Sequence, residues 1–222
     1  MSSRIPTLDE IRALIPESMH YRTAIAGSFA IAPLTASDVD IWVLRDPFAG
    51  NNPTLEQDAA AILSHLTDVR LEEPPAEYNH IFDNDILLIT GGIMPCGFRF
   101  HIMAAIWDSA YGLISTFDIA NHAWAYPLNG EHTLISHEGS KRIDQPIELL
   151  CSVGSCPDPL ATINRIIKFS IRYQTPPPFR LLRDLLNESQ TRLEDGLSFG
   201  PLPEAQPPED LLPLDDISGV PF

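Results

Sequence analysis

The chain has 222 residues, room for one full domain with an appendage or for two small domains, and enough to bury a core without disulfides or a structural metal. Hydrophobic residues make up 44% and charged residues 20%, which excludes fibrous, mucin-like and wholly disordered chains. Fourteen Lys and Arg against 30 Asp and Glu give a net charge of -16, a field that repels long nucleic acids and excludes non-specific DNA coating.

Thr7-Leu8-Asp9-Glu10 reads as a capping box, followed by Ile11, Leu14 and Ile15 on one face of a helix that ends at Pro16. Tyr21 to Ala26 is a short apolar segment closed by Gly27-Ser28. Asp38 to Leu44 alternates as a strand does, with Asp38, Asp40 and Trp42 on one face and Val39, Ile41 and Val43 on the other. A second capping box, Thr54 to Gln57, opens a helix carrying Leu55, Ala59, Ile62, Leu63 and Leu66. Ile86 to Thr90 and Phe98 to Ala105 read as strands, with Gly91-Gly92 and Pro95-Cys96-Gly97 as hairpin punctuation.

After Trp107 a short helix runs to Ser115, and a mixed stretch follows to Ile135. The spacing predicts a helix from Pro159 to Tyr173, with Arg165, Lys168 and Arg172 on one face and Ile163, Ile167 and Ile171 behind them. Beyond Pro176-Pro177-Pro178 a last amphipathic helix spans about residues 179 to 193. From Gly200 onward the chain is rich in Pro and acids, without Lys or Arg, and is expected to stay extended or disordered until it meets a protein partner. The order of elements describes an α/β (α+β) protein, a small mixed sheet flanked by helices. The expected division is a head over 1–150, a helical extension over 151–199 and an acidic tail over 200–222.

No apolar run approaches the ~18 residues a bilayer crossing needs, and Met1-Ser2-Ser3-Arg4 lacks an apolar signal core. Cys96, Cys151 and Cys156 have no Cys-x-x-Cys spacing. Reduced thiols, a cytoplasmic location and no membrane partner are therefore expected.

The chemistry concentrates in Gly27-Ser28 followed by Asp38-Val39-Asp40 on a strand. A Gly-Ser turn lets backbone approach a ligand closely and offers donors to phosphate oxygens. Two carboxylates on one strand face, ~7 Å apart, can converge on Mg²⁺, and the metal in turn clamps a triphosphate. On these residues the sequence resembles the polymerase-β-like nucleotidyltransferase superfamily, whose signature is Gly-Ser, about ten residues, then Asp-x-Asp flanked by apolar residues. A weaker likeness joins Asp158-Pro159-Leu160 and Asn164 to Phe169 to the segment after the head of CCA-adding enzymes and bacterial poly(A) polymerases. Phe98 to Ile102 and Ser115 to Asp118 are similar to uncharacterised minimal nucleotidyltransferases of viruses and fungi.

The resemblance implies transfer of a nucleoside monophosphate from an NTP to an acceptor hydroxyl, most readily an RNA end, with Mg or Mn as cofactor. It implies Asp38 and Asp40 as metal ligands, and Gly27 and Ser28 on the phosphates; Arg165 or Lys168 would hold nucleotide or acceptor phosphate. A third carboxylate belongs on a neighbouring strand, where this sequence has Phe100-His101-Ile102. Asp118 from the next element, Asp83 or Asp85 from the preceding strand, or His101 itself as base or ligand are the alternatives. Arg99 is a candidate partner for Asp40. Two other functions fit the same sequence: a non-catalytic regulatory or scaffold protein that binds partners through its acidic tail, and AMP transfer to a protein hydroxyl.

Overall fold

The computed structural model describes residues 4–46, 54–66, 69–72, 86–130 and 133–195. Helix α1 (Leu8–Arg12) starts at the Thr7 capping box, and Glu10 also takes the Arg4 guanidinium. A 3-10 turn (Glu17–Arg22) leads into β1 (Thr23–Ala26), then α2 (Ser28–Ile31) and β2 (Asp38–Leu44). The second capping box opens α3 (Leu55–His65), and β3 (Arg70–Glu72), β4 (Ile86–Ile93) and β5 (Arg99–Ala105) follow. Helix α4 (Ala110–Ile114), β6 (Trp124–Pro127) and β7 (Ile135–Ser136) complete the sheet region, and α5 (Pro159–Tyr173) and α6 (Phe179–Glu194) follow.

The seven strands form one mixed sheet in the order β3-β4-β5-β2-β1-β6-β7. Only the central β2–β5 pair is parallel. Period-2 alternation sorts β2 as its sequence requires: Val39, Ile41 and Val43 are fully buried with Ile25, Phe100 and Ile102 against Ile11, Leu14, Ile15 and Ile62 of α1, its flank and α3. The opposite face carries small side chains, Ala24, Ala26, Ala105 and Ala125, packed by Leu113 and Ile114 of α4. A separate core of Ile119, Ile147, Cys156, Ile166 and Leu185 seats α5 and α6.

Two expectations need correction. Gly91 and Gly92 do not turn the chain; they lie within β4, opposite His101 and Phe100 of β5, and the turn sits at Met94–Phe98, closed by Gly97 N–H to the Met94 carbonyl at 2.8 Å. Their value is space. A Cβ on Gly91 would lie 2.9 Å from the His101 ring, and one on Gly92 would lie 2.5 Å from the Arg70 carbonyl and 3.0 Å from the Phe100 ring. In α5 the buried positions are Pro159, Thr162, Ile166 and Ser170, the last three one residue round from the expected stripe; Ile167 and Ile171 are exposed. Sequence spacing finds an apolar row, but Ile166 is the residue that packs with Ile119, Ile147 and Leu185, while Phe169 beside it stacks on His122.

Asp83, Asp85 and the acidic tail fall outside the described residues. Among the described residues no helix is long and apolar enough to cross a membrane.

Candidate active site

Strand β2 starts at Asp38, so both aspartates stand at its N-terminal end on the face opposite the main core. In the antiparallel β1–β2 pair Ala26 is opposite Asp40, which brings the Gly27-Ser28 turn beside that carboxylate. Gly27 adopts φ 81°, a conformation L side chains rarely adopt, and a Cβ there would lie 3.7 Å from Asp40 Oδ2. Its N–H donates to the Trp124 carbonyl at 3.0 Å, so Gly27 contributes conformation and space, and its amide is already used within the sheet region. Ser28 is buried at the start of α2.

On the other side of β2 the parallel register pairs Asp40 with His101. The His101 Nδ1 stands 3.2 Å from Asp40 Oδ1, and the ring lies over Gly91 in the space that a Cβ would fill. Arg99 faces Glu72, with Nε 3.9 Å from a carboxylate oxygen, while His101 supplies the contact to Asp40. Burial drives the Asp40 pKa above the usual carboxylate range. The His101 contact and the Lys168 charge oppose that shift, and the neighbouring Asp38 charge adds to it. Ser37 Oγ donates to Asp38 Oδ1 at 3.1 Å.

Helix α5 brings its basic face to this end of the sheet. Arg172 Nη2 donates to Ser37 Oγ at 2.8 Å, directly before Asp38, and Lys168 is close enough to act on the Asp40 charge. Tyr173, one residue on, has its pKa raised by burial, and the Ser28 side chain and Arg172 act on its hydroxyl in the opposite direction. Arg165 behaves differently. It binds Asp118, whose carboxylate also accepts from Thr162, so these two candidate site residues hold each other and pin α5 to the segment before β6. Trp42 leans on Phe117 at 6.3 Å as part of the second core.

The anchor of α5 is His122. Its ring stacks on Phe169 with centroids 3.6 Å apart and planes at 17°, and Tyr173 lies 5.9 Å away. Burial first, then the Arg172, Arg165 and Lys168 charges, push the His122 pKa down to about 3, with only Asp118 pulling upward. A histidine kept neutral in the fold but able to protonate near 6.5 when unfolded stabilises the protein fully only above that value. The unfolded chain binds more protons between pH 6.5 and 3, so stability falls as pH is lowered through that window. We expect about 2 kcal/mol more destabilisation between pH 7.5 and pH 5 in the intact protein than in His122→Phe, which keeps the stack without the proton. Urea titrations at the two pH values check this, and equal pH slopes would refute it.

As for a metal, Asp38 and Asp40 supply two carboxylates on one face. Among the described residues, however, no group of three or more His, Cys, Asp or Glu side chains is disposed to hold an ion. Two carboxylates suit a Mg²⁺ or Mn²⁺ that completes its shell with substrate phosphate oxygens and water, and do not make an all-protein cage. The residues therefore fit a cation that arrives with a nucleotide.

No protein-family profile and no curated protein matches the chain. Solved structures do. A CCA-adding enzyme in complex with ATP superposes with TM-score 0.53 at 20% identity over 81% of this chain, and its complex with CTP gives the same values. A tRNA-processing enzyme with CTP gives 0.51 at 19% identity over 84%. The chain spans 41% to 48% of the length of those proteins. The chain thus shares its fold with CCA-adding enzymes.

Proposed function

We propose that the protein moves a nucleoside monophosphate from an NTP to an acceptor hydroxyl, with an RNA end as the favoured acceptor. The observation that carries this reading is the placing of the α5 basic face, Lys168 and Arg172, against the end of β2 that bears Asp38 and Asp40. Carboxylates on one wall and guanidinium and ammonium groups on the other suit a metal-bound triphosphate better than they suit a solvated edge. In support, the solved neighbours of the same fold include CCA-adding enzymes with ATP and with CTP.

In this reading Asp38 and Asp40 would hold the divalent cation, Mg or Mn, whose chemistry is to neutralise phosphate charge and orient the acceptor oxygen. Ser28, next to the Gly27 turn at the start of α2, binds outer phosphate oxygens. Lys168 and Arg172 fix the phosphates from the helix side, Arg172 reaching over Ser37. His101, bonded to Asp40 from the place of the expected third carboxylate, serves as the base for the acceptor proton.

The test is incubation with labelled NTPs, Mg²⁺ or Mn²⁺ and total RNA, beside a Lys168→Ala variant whose nucleotide affinity is expected to drop about tenfold. Label on protein instead of RNA makes the acceptor a protein hydroxyl. The lone imidazole contact to Asp40 favours one rival, a non-catalytic protein with the same fold, and nucleotide binding without any labelled product selects it. Failure to bind any NTP removes both.

A further inference from the structure

Helices α5 and α6 run antiparallel: five residues join them, and Arg192 near the end of α6 donates to the carbonyls of Pro157 and Gly154, just before α5 starts. Both turn one row into the same core, Ile166 from α5 and Leu185 from α6. On α5 the basic row lies to one side of the buried row, where Arg172 reaches Ser37, so Ile163, Ile167 and Ile171 lie on the other side. On α6, Leu186 follows Leu185, and Leu193 follows Ser189, round the helix in the same rotational sense. Two antiparallel right-handed helices with a common buried side bring these rows together. They line the groove between α5 and α6 on the side away from that core.

This face is open among the described residues. Ile171 is 70% exposed, Leu193 59%, Leu186 55% and Ile167 43%. We propose that it is the surface on which two copies of the chain meet, related by a two-fold axis that lays α5 of one copy over α6 of the other, with Ile167 facing Leu186.

Area and charge favour a second copy as the occupant. The four side chains leave roughly 450 Å² of apolar surface open, within the range of patches that mark contact sites on a monomer. Two such faces would bury roughly 900 Å² of apolar surface. Interfaces are about 60% apolar, so this corresponds to roughly 1,500 Å² in all, the size of a standard stable interface. A net charge of -16 makes two copies repel over most of their surface, and a neutral face is where that repulsion is least. Here the bordering side chains include Asn164, Asn187 and Gln190, all exposed and uncharged, and the charges at the edge are Glu194 and Arg183, the latter already paired with Asp184. An isologous contact needs a patch that tolerates itself, and apolar residues rimmed by amides do.

The test is sedimentation velocity of the full chain from about 1 to about 100 µM, without nucleotide. A dimer is expected at the upper end, held more tightly at about 0.5 M NaCl because salt screens the mutual repulsion and leaves apolar contact intact. Leu186→Lys places a charge in the seam and should raise the dimer dissociation constant at least about 100-fold, whereas Leu186→Met should leave it within about threefold. Leu186 is more than half exposed, so the monomer should keep its fold, which circular dichroism checks; Ile171→Gln is the second variant, read in the same way. A full chain that is monomeric at about 100 µM, a dimer that salt dissociates, or a dimer equally strong in the folded variants overturns the proposal. These outcomes do not depend on whether the protein transfers nucleotides.

Discussion

Asp40→Asn is expected to lower nucleotide transfer by about 10³-fold or more, equal to about 4 kcal/mol of transition-state stabilisation. Asp40 is the point where three parts of the site meet: the Gly27 turn on one side, His101 Nδ1 at 3.2 Å on the other, and the Lys168 charge from α5. The asparagine keeps shape and an acceptor for His101 but removes the charge that a cation or Lys168 would meet. Its effect on folding should be small, because the carboxylate is already held against its own desolvation. Circular dichroism and thermal melting separate loss of charge from loss of fold, and NTP affinity should fall with the rate. Transfer at the intact rate in this variant, with the protein folded, would remove β2 from the chemistry.

Asp58→Ala is expected to destabilise the protein by about 3 to 5 kcal/mol and lower the Tm by roughly 10 to 15 °C. Asp58, in the first turn of α3, takes the Arg22 guanidinium through both oxygens, at 2.6 and 2.8 Å, and both residues are buried. Arg22 also donates to the Leu44 carbonyl at 2.7 Å, tying the entry of β1, the end of β2 and α3 together. Removing the acid leaves a buried cation without its partner. A double replacement, Arg22→Met with Asp58→Leu, should recover most of the loss because no charge is left to desolvate, and calorimetry of the three proteins decides it. A loss below about 1 kcal/mol in Asp58→Ala would show that water reaches the pair.

Much of the site could be read locally. The Asp-x-Asp strand was legible because alternation on a half-buried strand is a property of adjacent residues, and the two capping boxes because each closes within four residues. The Arg165, Lys168, Arg172 stripe was legible as spacing, but its members part company in space: Arg165 goes to Asp118 while Arg172 reaches Ser37, 135 positions away in sequence. His122 gave no signal, because nothing near it in sequence shows the Phe169 ring that covers it. The Arg22–Asp58 pair was equally invisible, since each reads alone as an ordinary surface charge.

The sequence by itself determined α1, β2, α3, β5, α5 and α6, the face that Asp38 and Asp40 share, and the glycine-serine turn before them, all set by backbone geometry over a few residues, whereas β3, β6 and β7 stood in no predicted element. Only the tertiary structure decided that Asp40 meets an imidazole, that Gly91 is there to make room for it, and which row of α5 turns inward. Those outcomes depend on strand register and on packing between segments distant in the chain, and neither is written in the spacing of neighbouring residues.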